Sequence, residues 1–163
     1  AVEARRASRL ANEVKRRKVI TNKAAKSVSK ISKRELFLIG VALYWGEGSK
    51  KKRGVAEFTN SDPKMIEVMK LFFEKCCKVP KKKFRGHVYL HEHLNVQVAE
   101  KYWSNVSGIP VSQFHKTSIQ HNKKRVKKDS LPYGTFAIIV CDTKLKLKID
   151  GWTEGVYVNV TKL

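Results

Sequence analysis

The sequence of 163 residues has few acidic residues, few cysteines and no long apolar run. No stretch approaches the roughly 20 apolar residues of a membrane-spanning helix, and no signal-peptide pattern is present. The three cysteines, Cys76, Cys77 and Cys141, are too few and too unevenly spaced for a disulfide framework. We therefore expect a cytoplasmic protein, nucleoid-associated if it is bacterial or archaeal. Because the chain begins at Ala1, an upstream module is left open.

The scarcity of acidic residues leaves a large excess of positive charge. Thirty-five Lys and Arg residues face 14 Asp and Glu residues, which gives a formal net charge of +21. Solubility alone requires a magnitude of only about 2–8 in a small domain, so the excess predicts a polyanionic partner. Nucleic acid is favoured over an anionic membrane surface.

The chain divides by composition into a basic arm and one domain. Residues 1–32 are rich in Lys, Arg, Ala and Ser with a loose helical spacing of apolar residues, which predicts a helical N-terminal arm. Two roles stay open for this arm: a solvated helix, or an extension that neutralises phosphates. Residues 33–163 are long and apolar enough for a single core.

The domain alternates helical and extended patterns. Helices are predicted from residue 33 through Trp45, from Asp62-Pro63 to near Cys77, and over 95–107. Strands are predicted over 55–60, 84–91, 113–120 and 135–141, and the closing segment near 145–152 fits a helix or partly extended chain. The pattern predicts an α+β fold whose antiparallel sheet carries its helices on one face.

Alternation within 84–91 separates two kinds of side chain. Arg85, His87, Tyr89 and His91 share one face and apolar residues the other. We expect the polar face to contact nucleic acid, and an ordinary solvated face is the alternative. The other residues expected to contact nucleic acid are Lys50, Lys51, Lys52, Arg53, Lys116, His121, Lys123, Lys124 and Arg125.

The first helix of the domain ends in Gly46-Glu47-Gly48. A carboxylate at a helix C-terminus is disfavoured by the helix dipole, and a divalent cation held by Glu47 and free carbonyls would resolve this. The alternative is that Gly48 caps the helix and Glu47 is a solvated acid. Because this helix is apolar on every side, a second helix is expected to pack closely against it, at an interface of Gly40, Ala42, Leu43 and Gly46.

The segment Val41-Ala-Leu-Tyr-Trp-Gly-Glu-Gly-Ser49, followed by a strand and by Asn60-Ser-Asp-Pro63 at the start of a helix, resembles the LAGLIDADG homing-endonuclease family. The resemblance follows the element order over residues 33–150, and its motifs span residues 40–63. It implies a saddle-shaped sheet in the major groove of double-stranded DNA. It also implies Mg²⁺ held by Glu47 and the carbonyl of Gly46. The chain is similar, too, to uncharacterised prokaryotic proteins in which a helix-turn-helix precedes such a domain.

The resemblance implies a metal-dependent, site-specific DNA endonuclease in which Lys116 stabilises charge in the transition state. Only one clear motif is present. Ile149–Gly155 is a faint echo of it, but too little chain follows this echo to form a second half-domain, so a two-acid site requires a homodimer. Trp45 stands where the family usually has its first aspartate, and Glu47 where it has the metal-binding aspartate. Two other functions stay open: a non-cleaving transcriptional regulator of the same fold, and an RNA-binding ribonucleoprotein component.

Overall fold

The first 32 residues form a unit distinct from residues 33–163. The computed structural model describes residues 2–121 and 131–163. The first unit contains a single helix, α1 (Val2–Ser27), which is 26 residues long. Every described side chain of α1 is exposed, including the apolar Leu10, Val14, Val19 and Ile20.

The second unit opens with the apolar helix α2 (Lys33–Glu47), which begins where the sequence predicts. Gly40, Val41 and Tyr44 are its buried residues. Leu38, Ile39 and Trp45 remain exposed although they are large and apolar. One face of α2 therefore packs on its own domain, and the other is largely exposed, with Trp45 in contact with the ring of Tyr157 at 6.3 Å between centroids.

The predicted second helix follows the strand β1 (Val55–Asn60). It is α3 (Pro63–Leu71), and it starts at an N-cap in which the Asp62 side chain accepts a hydrogen bond from the backbone N–H of Lys64. A π-helical turn, Phe72–Cys76, continues it to the predicted end. Proline at the first helical position and an aspartate cap are the features from which the sequence predicted this start.

The strand β2 (Phe84–His91) and the helix α4 (Val96–Ser107) also lie where they were predicted. Asn95 caps α4 through its side chain, and Gly108 ends the helix in the left-handed conformation. The remaining elements are β3 (Ser118–Gln120), β4 (Thr135–Cys141) and α5 (Thr143–Val160). The closing segment is thus a helix, 18 residues long.

The sheet has the strand order β1-β4-β2-β3 and is mixed. β4 pairs antiparallel with both β1 and β2, whereas β3 runs parallel to β2. The prediction of an antiparallel sheet is therefore wrong at the β3 edge. The helix α4 lies between β2 and β3 in the sequence and returns the chain to the end at which β2 began, as a parallel pair requires.

The strand predicted over 113–120 is shorter than expected. Val111–Gln113 forms a 3₁₀ turn, Phe114 makes one isolated bridge to Gly86, and only the last three residues form β3. The ring of Phe114 packs 5.2 Å from that of Phe136, centroid to centroid. This segment is anchored by the half-buried ring of Phe114 and by the hydrogen bond from the backbone N–H of His115 to the carbonyl of Gly86, and not by a continuous ladder.

The core lies between the helices of the second unit and one face of the sheet. Even-numbered residues of the two central strands enter it: Phe84, Val88, Leu90, Phe136, Ile138 and Val140. Odd-numbered residues of those strands point to the opposite face. None of these odd-numbered residues belongs to the core cluster, although Ala137 and Ile139 are buried. Among the described residues this face lies outside the core, and we call it the open face of the sheet.

Candidate nucleic-acid interface

The open face of the sheet carries the four residues that the alternation in β2 singled out. Arg85, His87, Tyr89 and His91 are each half-buried, whereas the residues between them are buried. In the register of β2 with β4, Arg85 lies opposite Ile139 and His87 opposite Ala137. The polar and aromatic row therefore runs along the middle of the sheet, beside small or apolar neighbours.

His87 is the centre of a cluster on this face. Its ring stacks on that of Tyr89, with centroids 4.4 Å apart and planes 6° apart. Its Nε2 atom lies 2.8 Å from Oγ of Ser118, and the ring of His115 lies 6.1 Å away. Burial lowers the pKa of His87, and the charges of His115 and Lys52 lower it further. His87 is thus neutral at pH 7 and presents a hydrogen-bonding edge and an aromatic face.

Two further cations on or beside the open face are held in place by the chain itself. The Nη1 atom of Arg85 donates to the carbonyl oxygens of Lys82 at 2.7 Å and of Phe84 at 2.8 Å. The ammonium of Lys52 lies 2.5 Å from the carboxylate of Glu57, whose side chain is almost wholly buried. This hydrogen bond raises the pKa of Lys52. Lys52 therefore compensates a buried acid, whereas Nε and Nη2 of Arg85 make no hydrogen bond with a described residue and can donate to an external anion.

The loop before β1 is strongly basic. Lys51 and Arg53 are exposed, and neither makes a hydrogen bond or ion pair with a described residue. Lys50, Lys52 and Arg53 line one side of a pocket of about 350 Å³, and Lys146 and Asp150 of α5 line the other. Lys146 is buried and bonds both carboxylate oxygens of Asp150, at 2.5 and 2.6 Å. Positive charge thus surrounds this pocket, with one acid inside it.

The Gly-Glu-Gly end of α2 joins the helix to the sheet. The backbone N–H of Gly48 donates to the carbonyl of Tyr44 at 2.8 Å, and Gly48 forms a bridge with Phe58 of β1. A Cβ at Gly48 would lie 2.5 Å from the carbonyl oxygen of Tyr44, so only glycine fits. Burial raises the pKa of Tyr44 to about 12, and its hydroxyl accepts from the N–H of Glu57 and donates to the carbonyl of Ser49.

Glu47 itself is exposed at this joint and has no hydrogen bond or ion pair with a described residue. The carbonyl of Gly46 accepts a hydrogen bond from the ammonium of Lys50 at 3.3 Å. The two predicted metal ligands are therefore adjacent, but one of them already has a cationic partner. No three His, Cys, Asp or Glu side chains lie close enough together to hold a metal ion within residues 2–121 and 131–163.

The residues predicted for a helix–helix interface divide between two environments. A Cβ at Gly40 would lie 2.1 Å from Cδ2 of Phe72, so this glycine admits a ring of its own core. Leu43 is half-buried and packs against the same core. Ala42 and Gly46 are exposed. Gly40 therefore does not lie on the face that a second helix would approach.

Lys116 is exposed and precedes β3, whereas Glu47 adjoins β1 through Gly48. β1 and β3 are the two edges of the sheet, which three inter-strand spacings put about 14 Å apart. The structure does not bring Lys116 to Glu47 within one chain. His121 pairs with Glu92 at 2.6 Å, and Lys123, Lys124 and Arg125 lie outside the described residues.

Sequence reasoning missed four participants of the two clusters: His115, Ser118, Lys146 and Asp150. Ser118 reaches His87 only because β3 runs parallel to β2, a pairing that no local pattern indicates. Lys146 and Asp150 sit four residues apart on α5, a spacing typical of helical ion pairs, but their place beside loop 50–54 depends on packing. The i, i+4 spacing of Lys146 and Asp150 was thus the one sequence signal that could have indicated any of these residues.

Comparison with known proteins gives no match: no family model, no curated protein and no solved structure is significantly similar to this chain. Among the helices of the described ranges, none combines the length and the apolar character needed to cross a bilayer.

Proposed function

We propose that residues 33–163 bind double-stranded DNA with the open face of the sheet, in a fold like that of the LAGLIDADG homing endonucleases. The observation that carries the proposal is the row of Arg85, His87 and Tyr89 on a sheet face that the core leaves out. Arg85 offers free N–H groups to a phosphate, and the stacked rings offer flat surfaces and polar edges. The net charge of +21 supplies the long-range attraction.

The geometry favours DNA over duplex RNA. The major groove of B-form DNA is about 12 Å wide and admits strands together with their side chains. The major groove of A-form RNA is too deep and narrow for side chains to read. A row of side chains along β2, flanked by β4 and β3, suits the wider groove.

Fluorescence anisotropy with a labelled DNA duplex over a series of salt concentrations tests this proposal. Arg85→Gln is expected to weaken binding and to reduce the slope of log K against log salt by about 1. Lys101→Gln is the matched control, because Lys101 is exposed on α4, which packs on the other side of the sheet. Equal slopes for both variants would contradict the open face as the site, and equal binding of an RNA duplex would favour the ribonucleoprotein function.

A homodimer formed through α2 is part of this proposal. Leu38, Ile39, Ala42 and Trp45 form an exposed apolar stripe on α2 beside its buried face, and the ring of Trp45 also contacts that of Tyr157 in α5, with centroids 6.3 Å apart. Burying such a stripe against its copy would remove apolar surface from water at about 25 cal/mol per Å². It would also bring two copies of the α2 end, each with its Glu47, toward one axis.

Metal-dependent DNA cleavage by such a dimer is the second candidate function. The observation that favours it is the exposed Glu47 at the tip of α2, whose side chain has no ion pair with a described residue. The described donors of one chain do not fit magnesium, since Glu47 is one carboxylate and the carbonyl of Gly46 already accepts from Lys50. Any such site therefore needs oxygen ligands from a second copy or from DNA.

Incubation of supercoiled DNA with the protein and Mg²⁺ tests cleavage. If the chain is a nuclease, Glu47→Gln is expected to abolish nicking and to retain DNA binding. Glu67→Gln, which removes an exposed acid from α3, is the control and is expected to cut like the parent. If the parent cuts no DNA, including a site selected for tight binding, the non-cleaving regulator is favoured.

A further inference from the structure

The arm α1 carries a row of cations on one side. Arg5, Arg9, Arg16 and Lys23 are spaced by four, seven and seven residues, and all are exposed. At 100° per residue these spacings keep the four side chains within a narrow sector of the helix. The row extends over 18 residues, a length of about 27 Å at 1.5 Å per residue. It is therefore a linear array of positive charge.

This charge is hardly compensated within the helix. The ion pair between Glu13 and Arg17, at 2.5 Å, is the one salt bridge among the described residues of α1. Like charges instead lie three or four residues apart at Arg5–Arg9 and at Lys23–Lys26. Such pairs destabilise an isolated helix by about 0.2–0.5 kcal/mol each, so an external polyanion would relieve them.

The opposite side of α1 is too weakly apolar for a membrane surface. It includes the charged Lys18, and its other residues are mostly small: Ala7, Leu10, Ala11, Val14, Thr21 and Ala25. Val19 and Ile20 lie on other sides of the helix, and α1 contains no aromatic residue. Interfacial helices depend on a broad apolar face with large anchoring side chains. The chemistry of α1 therefore fits a duplex of nucleic acid better than a lipid surface.

We propose that α1 is a second DNA-binding element that contacts backbone phosphates through the row of Arg5, Arg9, Arg16 and Lys23. An α-helix with its side chains is about 10–12 Å in diameter, which matches the major groove of B-form DNA. Guanidinium and ammonium groups along one side then meet successive phosphates without reading bases. This proposal does not depend on the open face of the sheet.

The test compares two variants of the full chain that each lose four cations. One carries Arg5→Gln, Arg9→Gln, Arg16→Gln and Lys23→Gln. The other loses exposed lysines of the second unit, through Lys75→Gln, Lys101→Gln, Lys144→Gln and Lys148→Gln. Glutamine keeps a high helix propensity, and circular dichroism checks that both variants retain the helical content of the parent.

The slope of log K against log salt for a DNA duplex is the readout. The α1 variant is expected to lower its magnitude by about 3–4, since each lost phosphate contact removes about 0.9, and the control by less than 1. Equal slopes for the two variants would overturn the proposal. The proposal would also be overturned if the α1 variant kept the slope of the parent for DNA but lost binding to phosphatidylserine vesicles. Arg85→Gln tests the open face of the sheet separately, because it leaves α1 unchanged. If Arg85→Gln had no effect on DNA binding, the α1 variant would still be expected to lower the slope.

Discussion

The Nε2 atom of His87 lies 2.8 Å from the hydroxyl oxygen of Ser118, although 31 residues separate the two in the sequence. The contact crosses from β2 to the parallel edge strand β3 on the open face of the sheet. It fixes the ring of His87 while the ring stacks on Tyr89. The aromatic part of the proposed interface is therefore ordered before any ligand arrives, which lowers the entropic cost of binding.

Stability is expected to fall in mild acid because of His87. Its pKa is lowered from the ordinary value of 6.5 chiefly by burial, so below pH 6.5 the unfolded chain binds more protons than the folded one. The free energy of unfolding then decreases as the pH falls from 6.5 toward the lowered pKa, and it is unaffected by His87 above that window. Urea titrations across this range should show a shallower decline for His87→Asn, and an identical decline would contradict the assignment.

The two glycines at positions 40 and 151 should respond oppositely to alanine. Gly40→Ala forces a methyl group into the ring of Phe72, where a Cβ would lie 2.1 Å from Cδ2, and overpacking of this kind costs about 1–3 kcal/mol. Gly151 lies within α5 with no atom near its Cβ position, so Gly151→Ala should stabilise by about 0.5–1 kcal/mol. Denaturant unfolding measures both. A neutral Gly40→Ala would mean that α2 packs differently.

The cysteines offer a chemical test of burial and of the open face. Burial raises the pKa of Cys77 to about 12, so at pH 8 only about one molecule in ten thousand carries the reactive thiolate. Cys141 is exposed, and its odd-numbered position on β4 puts it on the open face. Iodoacetamide is expected to modify Cys141 first, and a DNA duplex is expected to slow that reaction several-fold. Unchanged labelling of Cys141 in saturating DNA would count against the proposed surface.

Association through α2 should depend on Ala42. Arginine at this exposed position would put two charges into the centre of the proposed helix–helix interface, where like charges repel. Sedimentation is expected to find the parent chain dimeric at micromolar concentration and Ala42→Arg monomeric. Val98→Arg changes an exposed apolar residue of α4 and should leave the dimer intact. If the parent chain is monomeric at this concentration, the proposed dimer is wrong, and so is a site that needs Glu47 from two chains.

Local patterns predicted most of the fold because local interactions determine it. The cap at Asp62, the alternation in β2 and the left-handed Gly108 each act over a few residues, and each lies where the sequence indicated. The parallel pairing of β3 could not be predicted in the same way, since it depends on where α4 returns the chain. The position of a strand in a sheet is a property of the whole packing.

The candidate site divides in the same manner. Arg85, His87 and Tyr89 were found from their period of two alone. The buried pair of Lys52 with Glu57 was not expected, because it arises where loop 50–54 folds back on β1. Gly40 was predicted to face a second helix, but the ring of Phe72 occupies that space. Sequence spacing predicts which residues share one face of a helix or strand. What packs against that face is determined by the tertiary structure.

NMR chemical shifts recorded during titration with a DNA duplex would locate the binding surface residue by residue. If the open face of the sheet binds DNA, the ring and amide signals of His87 and Tyr89 and the amides of Arg85 and Ser118 shift in a saturable manner. Signals of Lys101 and Val98, on α4 behind the sheet, should stay in place. Shifts confined to α4, with β2 and Ser118 unchanged at saturation, would contradict the open face of the sheet as the DNA-binding surface.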